Sequence, residues 1–334
     1  MSALKKLIPT LILILIVYLW FFLVHAPSNP SSVNVLGAKT SIALFEEPDA
    51  GRAPILDAIG NAKQEILLEV YLLSDKQIIS ALEDAKKRGL QVNVMLEEHP
   101  FGGGNLNPKT KKMLEESGIS VKWTNPAFAL THEKVLVIDK TEAFIMSQNL
   151  TTSSFTKNRE YDVIDTDPVD VGEARTIFID DWDRKSFTPG VSHLVVSPNT
   201  SRGGIAKLIS DSAKTIDMEF EEINDNQTER LLAEKAHNVS IRLIIPTLSQ
   251  VSSNTDNVKA LTSAGVLIKT LSSPYIHAKM ILADQAKAYV GSVNISTQSM
   301  DENREVGIMV EQGDALQTIK TAFESDWNKA TPLN

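Results

Sequence analysis

The chain has 334 residues, 43% of them hydrophobic, which suffices for one large or two ordinary domains with a substantial core. It contains no cysteine, which excludes disulfides, thiolate metal sites and a cysteine nucleophile. Its formal net charge of −9 disfavours nucleic acid as a partner, because nucleic acid is bound mainly through lysine and arginine.

The N-terminus is predicted to be a membrane anchor. Lys5 and Lys6 precede residues 7–24, a run of eighteen residues without a charge. A helix rising about 1.5 Å per residue carries this run across about 27 Å, close to the ~30 Å hydrocarbon core of a bilayer. No small-residue cleavage site follows, so a single-pass signal anchor at 1–26 is favoured over a cleaved signal peptide and secretion. The lysines place the N-terminus in the cytoplasm and the remainder outside, and residues 27–39, rich in Pro, Ser and Asn, are interpreted as a linker.

From residue 40 onward, strand and helix patterns alternate, which predicts an α/β fold with helices over the faces of the sheets. In the first half, residues 40–186, the predicted strands are 41–45, 65–72, 91–96, 135–138, 144–146 and 161–164, and the predicted helices are 52–63, 75–88, 109–117 and 170–182. The Gly-rich loop 100–108 has neither P-loop nor dinucleotide-binding spacing and is interpreted as a flexible connection.

The second half, residues 187–334, repeats this plan. Its predicted strands are 193–196, 215–220 and 240–245, and its predicted helices are 204–213 and 227–236. The segment IDMEFE at 216–221 mirrors ILLEVY at 66–71 with an offset of 150 residues. We therefore expect two similar α/β halves with mixed sheets, packed about a pseudo-twofold axis.

Both halves also carry one polar motif, THEKVLVIDKTEAFIMSQN at 131–149 and HAKMILADQAKAYVGSVN at 277–294, at a constant offset of 145. With the glutamate that follows each copy, the repeated residues are His132, Lys134, Asp139, Ser147, Asn149 and Glu160, and His277, Lys279, Asp284, Ser292, Asn294 and Glu305. The same register relates Arg159 to Arg304 and Asp181 to Asp326. A common register over about fifty residues indicates duplication.

These residue types suit the cleavage of a phosphodiester. Lysine and asparagine donors stabilise charge on the phosphoryl oxygens, a neutral imidazole can attack phosphorus, and an imidazolium can protonate the leaving oxygen. No cluster with metal-ligand spacing is found, so we predict neither a metal nor another cofactor. Duplication of a purely structural His-Lys pair is disfavoured, because the whole set recurs.

The doubled His-x-Lys-x4-Asp motif with its Ser-x-Asn resembles the phospholipase D superfamily. The resemblance implies that both motifs meet in one active site between the halves, where one histidine becomes a phosphohistidine and the other acts as general acid. Carried over, His132 is the nucleophile and His277 the acid. Each is followed 28 residues later by a glutamate, Glu160 or Glu305, which matches the carboxylates that orient the imidazoles.

Three further expectations follow. Ser147 and Ser292 are candidate phosphate donors, with hydroxyls bonded to backbone as the alternative. Asp139 and Asp284 are interpreted as structural residues near turns. The first copy departs from the Gly-Ser-x-Asn signature, since Met146 stands where the second copy has Gly291, and this difference is expected to affect how closely the first-half backbone approaches a phosphate.

The sequence thus favours a membrane-anchored phosphodiesterase of the phospholipase D type that hydrolyses phospholipids. The alternatives are a phosphatidyltransferase resembling cardiolipin synthases, a nuclease of the same superfamily, and a non-catalytic, membrane-tethered binding module. The complete pair of motifs disfavours the binding module. No oligomeric state is predicted.

Overall fold

The computed structural model describes residues 41–311 and 313–333. The predicted anchor at 1–26 and linker at 27–39 lie outside these residues. Within the part that is described, no helix is both long and apolar enough to cross a bilayer.

The first half forms an eight-stranded mixed sheet in the order β1-β7-β6-β5-β2-β3-β4, and the short strand β12 (Tyr275–Ile276) of the second half adds beside β7. Its strands are β1 (Ile42–Glu47), β2 (Glu65–Val70), β3 (Gln91–Leu96), β4 (Ser120–Trp123), β5 (Lys134–Ile138), β6 (Glu142–Met146) and β7 (Asn158–Asp165). Its helices are α1 (Ala53–Asn61), α2 (Lys76–Lys87), α3 (Leu106–Glu116), α4 (Thr152–Lys157) and α5 (Pro168–Asp183). The pairs β2–β3 and β3–β4 are parallel, and the other pairs along this order are antiparallel.

The second half repeats the arrangement in an eight-stranded sheet of order β16-β11-β10-β9-β13-β14-β15-β8. Its strands are β8 (Leu194–Ser197), β9 (Thr215–Phe220), β10 (Ser240–Ile245), β11 (Leu267–Thr270), β13 (Lys279–Ala283), β14 (Lys287–Gly291), β15 (Glu305–Val310) and β16 (Thr331–Pro332), and β12 is Tyr275–Ile276. Its helices are α6 (Ser201–Asp211), α7 (Asn226–Lys235), α8 (Thr255–Ser263), α9 (Thr297–Asp301) and α10 (Asp314–Lys329). The predicted pair of mixed-sheet α/β halves is confirmed.

Local sequence explains where these elements begin and end. The carboxylate of Asp75 accepts the N–H groups of Gln77 and Ile78 and caps α2, and Gly89, at φ 91°, follows its end. Asp225, 150 residues later, caps α7 in the same way. All five residues of β5 are buried, because the strand lies inside its sheet with both faces covered.

The halves meet through a shared core and reciprocal contacts. One hydrophobic cluster combines strand residues of both sheets with α5 and α10, and each half has a further cluster on its other side. The guanidinium of Arg159 pairs with Asp326, with Nη2 3.2 Å from Oδ1. Arg304 pairs with Asp181, with Nε 2.7 Å from Oδ2. These four side chains are almost completely buried, so residues that recur in register along the chain join across the interface.

Candidate active site

The two histidines stand just before β5 and β13, and each is held by the opposite half. The backbone N–H of His132 donates to the carbonyl of Arg304 at 2.8 Å. The N–H of His277 donates to the carbonyl of Arg159 at 3.2 Å. The imidazoles are 13% and 11% exposed, so a substrate can reach both.

The carboxylate that orients each imidazole also comes from the opposite half. Nδ1 of His132 lies 2.9 Å from Oε2 of Glu305. Nδ1 of His277 lies 2.9 Å from Oε2 of Glu160. Each glutamate follows the histidine of its own motif by 28 residues, but in the structure it lies beside the histidine of the other motif. Neither half therefore contains a complete His–Glu pair.

The motif lysines supply the positive charge of the site. Lys134 and Lys279 are fully buried, and the ammonium of each donates to the carbonyl of the histidine two residues before it. Lys279 also donates to Glu221 at 3.0 Å, whereas the ammonium of Lys134 lies 5.3 Å from the ring centroid of Tyr71. Burial lowers the pKa of Lys134 to about 7, although the negative charge of Glu305 acts to raise it. Across residues 41–311 and 313–333, no group of three or more His, Asp or Glu side chains is arranged to hold a metal ion.

The motif asparagines follow β6 and β14 at equivalent places. The side-chain oxygen of Asn149 is buried and has no hydrogen-bond partner among the described residues, and the same holds for Asn294. Buried polar atoms are normally paired, so two equivalent unpaired amide oxygens indicate a place where a bound group can complete the hydrogen bonding.

The two motif serines hold the structure around the glutamates. The hydroxyl of Ser147 donates to Glu160 at 2.7 Å and accepts the N–H of Tyr161 at 3.0 Å. The hydroxyl of Ser292 donates to the carbonyl of Val306 at 3.2 Å and accepts its N–H at 3.1 Å. Both serines are fully buried. Ser147 thus bonds a side-chain carboxylate and a backbone N–H, and Ser292 bonds backbone groups alone; phosphate binding by either hydroxyl stays a prediction.

Asp139 and Asp284 brace turns at the far ends of β5 and β13. Asp139 accepts the N–H groups of residues 63–65 at 2.7 to 3.0 Å. Asp284 accepts those of residues 213–215 at 2.7 to 2.9 Å. Burial opposes their ionisation, but the three N–H donors prevail and lower the pKa of both carboxylates. These are structural contacts that fix the turn to the neighbouring strand.

The difference between Met146 and Gly291 concerns packing. A Cβ atom on Gly291 would lie 2.2 Å from Cα of Gly307 on the adjacent strand and 2.9 Å from the hydroxyl of Tyr289. Met146, by contrast, is fully buried in the core of the first half. Glycine is therefore required where β14 and β15 approach closely, and the expected effect of Met146 on the approach of a phosphate stays a prediction.

A further difference between the half-sites lies beside the histidines, at Tyr71 and Glu221, which the 150-residue offset makes equivalent. Each follows a strand that pairs with the motif strand, so each comes to lie beside its histidine. Tyr71 packs edge-on against His132, with ring centroids 4.7 Å apart. Glu221 instead places Oε2 3.4 Å from Nε2 of His277. The 150-residue offset aligns the two segments and shows the change from tyrosine to glutamate, but neither residue was predicted to belong to the site.

These surroundings place the two histidines in different electrostatic environments. Burial lowers the pKa of His132 to about 4, although the carboxylate of Glu305 opposes this. Burial works against ionisation of Glu221, but the positive charges of His277 and Lys279 outweigh it and hold the pKa of that carboxyl far below its usual value. At neutral pH the site thus contains a neutral imidazole on one side and an imidazole beside an anionic carboxylate on the other.

The family model described as "Cardiolipin synthase, PLD-like domain" matches residues 55–182 and 205–327, one span in each half. The chain is similar to cardiolipin synthase 1 of Bacillus anthracis, with 22% identity over 345 residues that cover 88% of this chain and 68% of the relative. It is 29% identical to a phospholipase D of Rickettsia prowazekii over 176 residues, which cover 52% of this chain and 80% of that protein. The fold is shared with polyphosphate kinase from Porphyromonas gingivalis, with a TM-score of 0.71 and 16% identity over 88% of this chain and 48% of that protein. Because the family model matches both halves, motifs included, the chain belongs to the phospholipase D-like family.

Proposed function

We propose that this protein is a phosphatidyltransferase of the cardiolipin-synthase type, which moves a phosphatidyl group from one phospholipid to a hydroxyl of another through His132. The observation that carries the proposal is the unequal pair of histidines in one site built by both halves. A neutral imidazole suits attack on phosphorus, and an imidazole beside a carboxylate suits proton donation.

In the first step Nε2 of His132 attacks phosphorus and the bond from phosphorus to the headgroup oxygen breaks. His277, as imidazolium, gives its proton to that oxygen, and the headgroup alcohol leaves. In the second step the acceptor hydroxyl attacks phosphorus, its proton passes to His277, and the phosphorus–nitrogen bond breaks. The ammonium groups of Lys134 and Lys279 stabilise the charge on the nonbridging oxygens in both transition states.

We prefer transfer to hydrolysis because the relatives named cardiolipin synthase cover more of this chain than the relative named phospholipase D. Relatives named cardiolipin synthase align with 88% and 84% of this chain, whereas the Rickettsia prowazekii phospholipase D aligns with 52%. Hydrolysis, the function favoured by sequence analysis, is the second candidate, supported by that relative's name. It differs only in the acceptor, which is then water.

The test is to incubate the purified full-length protein with phosphatidylglycerol vesicles and to analyse the lipids by mass spectrometry. Transfer produces cardiolipin and free glycerol, and hydrolysis produces phosphatidic acid and free glycerol. The His132→Ala variant, which lacks the nucleophile, is expected to produce neither. Phosphatidic acid as the sole lipid product would refute the transferase and support the second candidate.

We further propose that residues 7–24 anchor the protein in a membrane, with the catalytic part on the extracytoplasmic side. The uncharged run and the two lysines before it support this. N-terminal sequencing of protein recovered from membranes should start at or near Met1, and added protease should digest the catalytic part in spheroplasts. A mature terminus near Ala26 would refute the anchor.

A further inference from the structure

Glu221 is a charged residue of the site that has no acidic counterpart in the first half. Its Oε1 accepts the hydroxyl of Tyr275 at 2.9 Å, and its Oε2 lies 3.0 Å from the ammonium of Lys279. The side chain is 21% exposed, so it is reachable from the same side as the histidines. The first half has Tyr71 at this position, an aromatic ring without negative charge.

A carboxylate can only accept hydrogen bonds, and it repels the nonbridging oxygens of a phosphodiester. An alcohol hydroxyl is the group that complements it. Oε2 of Glu221 and Nε2 of His277 are 3.4 Å apart, which is longer than a good hydrogen bond. A hydroxyl oxygen beside both atoms can donate its hydrogen to Glu221 and accept one from His277.

We propose that Glu221 forms the alcohol subsite of this enzyme: it binds the hydroxyl of the leaving or entering alcohol against His277 and confines the phosphoryl group to the His132 side. This inference rests on the proposed function, since it assigns a place within the same site to the alcohol. The two sides of an otherwise symmetric site then bind different groups: the alcohol lies beside Glu221, and the phosphoryl group lies on the side of Tyr71, which carries no negative charge.

The proton balance follows from this placement. The proton on His277 passes to the headgroup oxygen as the bond from phosphorus to oxygen breaks, while Glu221 stays ionised. The entering hydroxyl then binds Glu221 and returns a proton to His277 as its oxygen bonds to phosphorus. The other charged and titratable groups around His277 are Glu160, Lys279 and Tyr275.

The test uses Glu221→Gln, which keeps the size of the side chain and removes its charge. Formation of the phosphoenzyme from a phosphatidyl p-nitrophenol substrate needs little proton donation and should stay within about twofold of wild type. Transfer from phosphatidylglycerol should fall by about tenfold or more, as expected for the loss of a charged hydrogen bond, and the KM for the acceptor alcohol should rise. The alkaline limb of the pH profile should move to lower pH, because the imidazolium loses a neighbouring anion.

Two further variants separate this role from a structural one. Glu222→Gln alters the adjacent carboxylate, which is bonded to Asn224 and Ser253, and should behave as wild type. Tyr71→Glu places a carboxylate beside His132 and should slow phosphoenzyme formation with both substrates, because the anion repels the phosphoryl group. Thermal unfolding should show all three variants folded.

The outcomes distinguish this inference from the proposed function. A Glu221→Gln variant that matches wild type in transfer, or that slows both steps equally, overturns the alcohol subsite. Wild-type protein that uses water as its sole acceptor refutes the transferase. In that case Glu221→Gln must still slow hydrolysis of the phosphoenzyme more than its formation, or the alcohol subsite fails as well.

Discussion

Replacing Glu160 by glutamine removes the negative charge behind Nδ1 of His277, although Glu160 belongs to the motif of His132. The crossed arrangement therefore predicts that Glu160→Gln impairs the general acid and spares the nucleophile. Glu305→Gln is the matched variant for His132. Each glutamate also accepts hydrogen bonds from a neighbouring serine and asparagine, so the structural cost should be similar in both variants.

The expected loss of rate follows from the contact between Glu160 and His277 that the substitution weakens. Oε2 of Glu160 lies 2.9 Å from Nδ1 of His277, and the carboxylate is fully buried. A hydrogen bond to a charged group contributes about 1.5–3 kcal/mol, and a loss of about 2 kcal/mol in proton donation corresponds to about thirtyfold in rate. Glu160→Gln should therefore slow cleavage of an alkyl phosphodiester by about this factor.

The assay compares an alkyl phosphodiester with its p-nitrophenyl counterpart, whose leaving group needs little protonation. Glu160→Gln and His277→Ala should both retain measurable cleavage of the p-nitrophenyl substrate. Glu305→Gln should slow both substrates, and His132→Ala should abolish both and form no phosphoenzyme. Thermal unfolding of the two glutamine variants gives the control for folding.

The opposite pattern would refute the reasoning. If Glu160→Gln slows both substrates equally while Glu305→Gln spares the p-nitrophenyl ester, either the crossed pairs or the assignment of the two histidines is wrong. Trapping decides between these, because the reversed assignment requires that His277→Ala, and not His132→Ala, fails to form a phosphoenzyme.

Three other predictions concern pH and stability. Formation of the phosphoenzyme should lose rate on the acid side near pH 4, because burial lowers the pKa of His132 to about 4 and the imidazole stays neutral above it; a quenched-flow pH profile with a limb near 6.5 would contradict this. Gly291→Ala should lower the free energy of unfolding by about 1–3 kcal/mol in urea denaturation, because its Cβ overlaps the adjacent strand. Arg304→Met should cost about 3–5 kcal/mol, because it leaves Asp181 buried and unpaired, and adding Asp181→Leu should recover much of the loss; a double variant less stable than Arg304→Met alone would argue against an ion-pair role.

Much of the fold could be predicted because its signals are local. The alternation of apolar strands and amphipathic helices depends on side-chain periods of two and 3.6 residues, and capping residues such as Asp75 mark helix ends within the same segment. The elements that were not predicted in the first half also have a local explanation. Strand β4 and helix α4 of that half were missed, because each is too short for a periodic pattern to stand out.

The pair of motifs could be recognised because duplication preserves register. A constant offset related the histidines, lysines and asparagines, and it also related Arg159 to Arg304 and Asp181 to Asp326. The offset does not show which residue of one copy contacts which residue of the other copy. The structure pairs Arg159 with Asp326 and Arg304 with Asp181, so the recurring residues are those that join the halves.

The sequence by itself determined the two-half architecture, the family resemblance and the set of polar residues, since each is encoded in spacing along the chain. The tertiary structure alone decided that Glu305 serves His132 and Glu160 serves His277, because those contacts depend on how two halves cross at an interface. It also decided which half-site carries the charge of Glu221. That residue reaches its histidine by pairing of β9 with β13, strands about sixty residues apart in sequence, and such pairing is set by packing of the whole sheet.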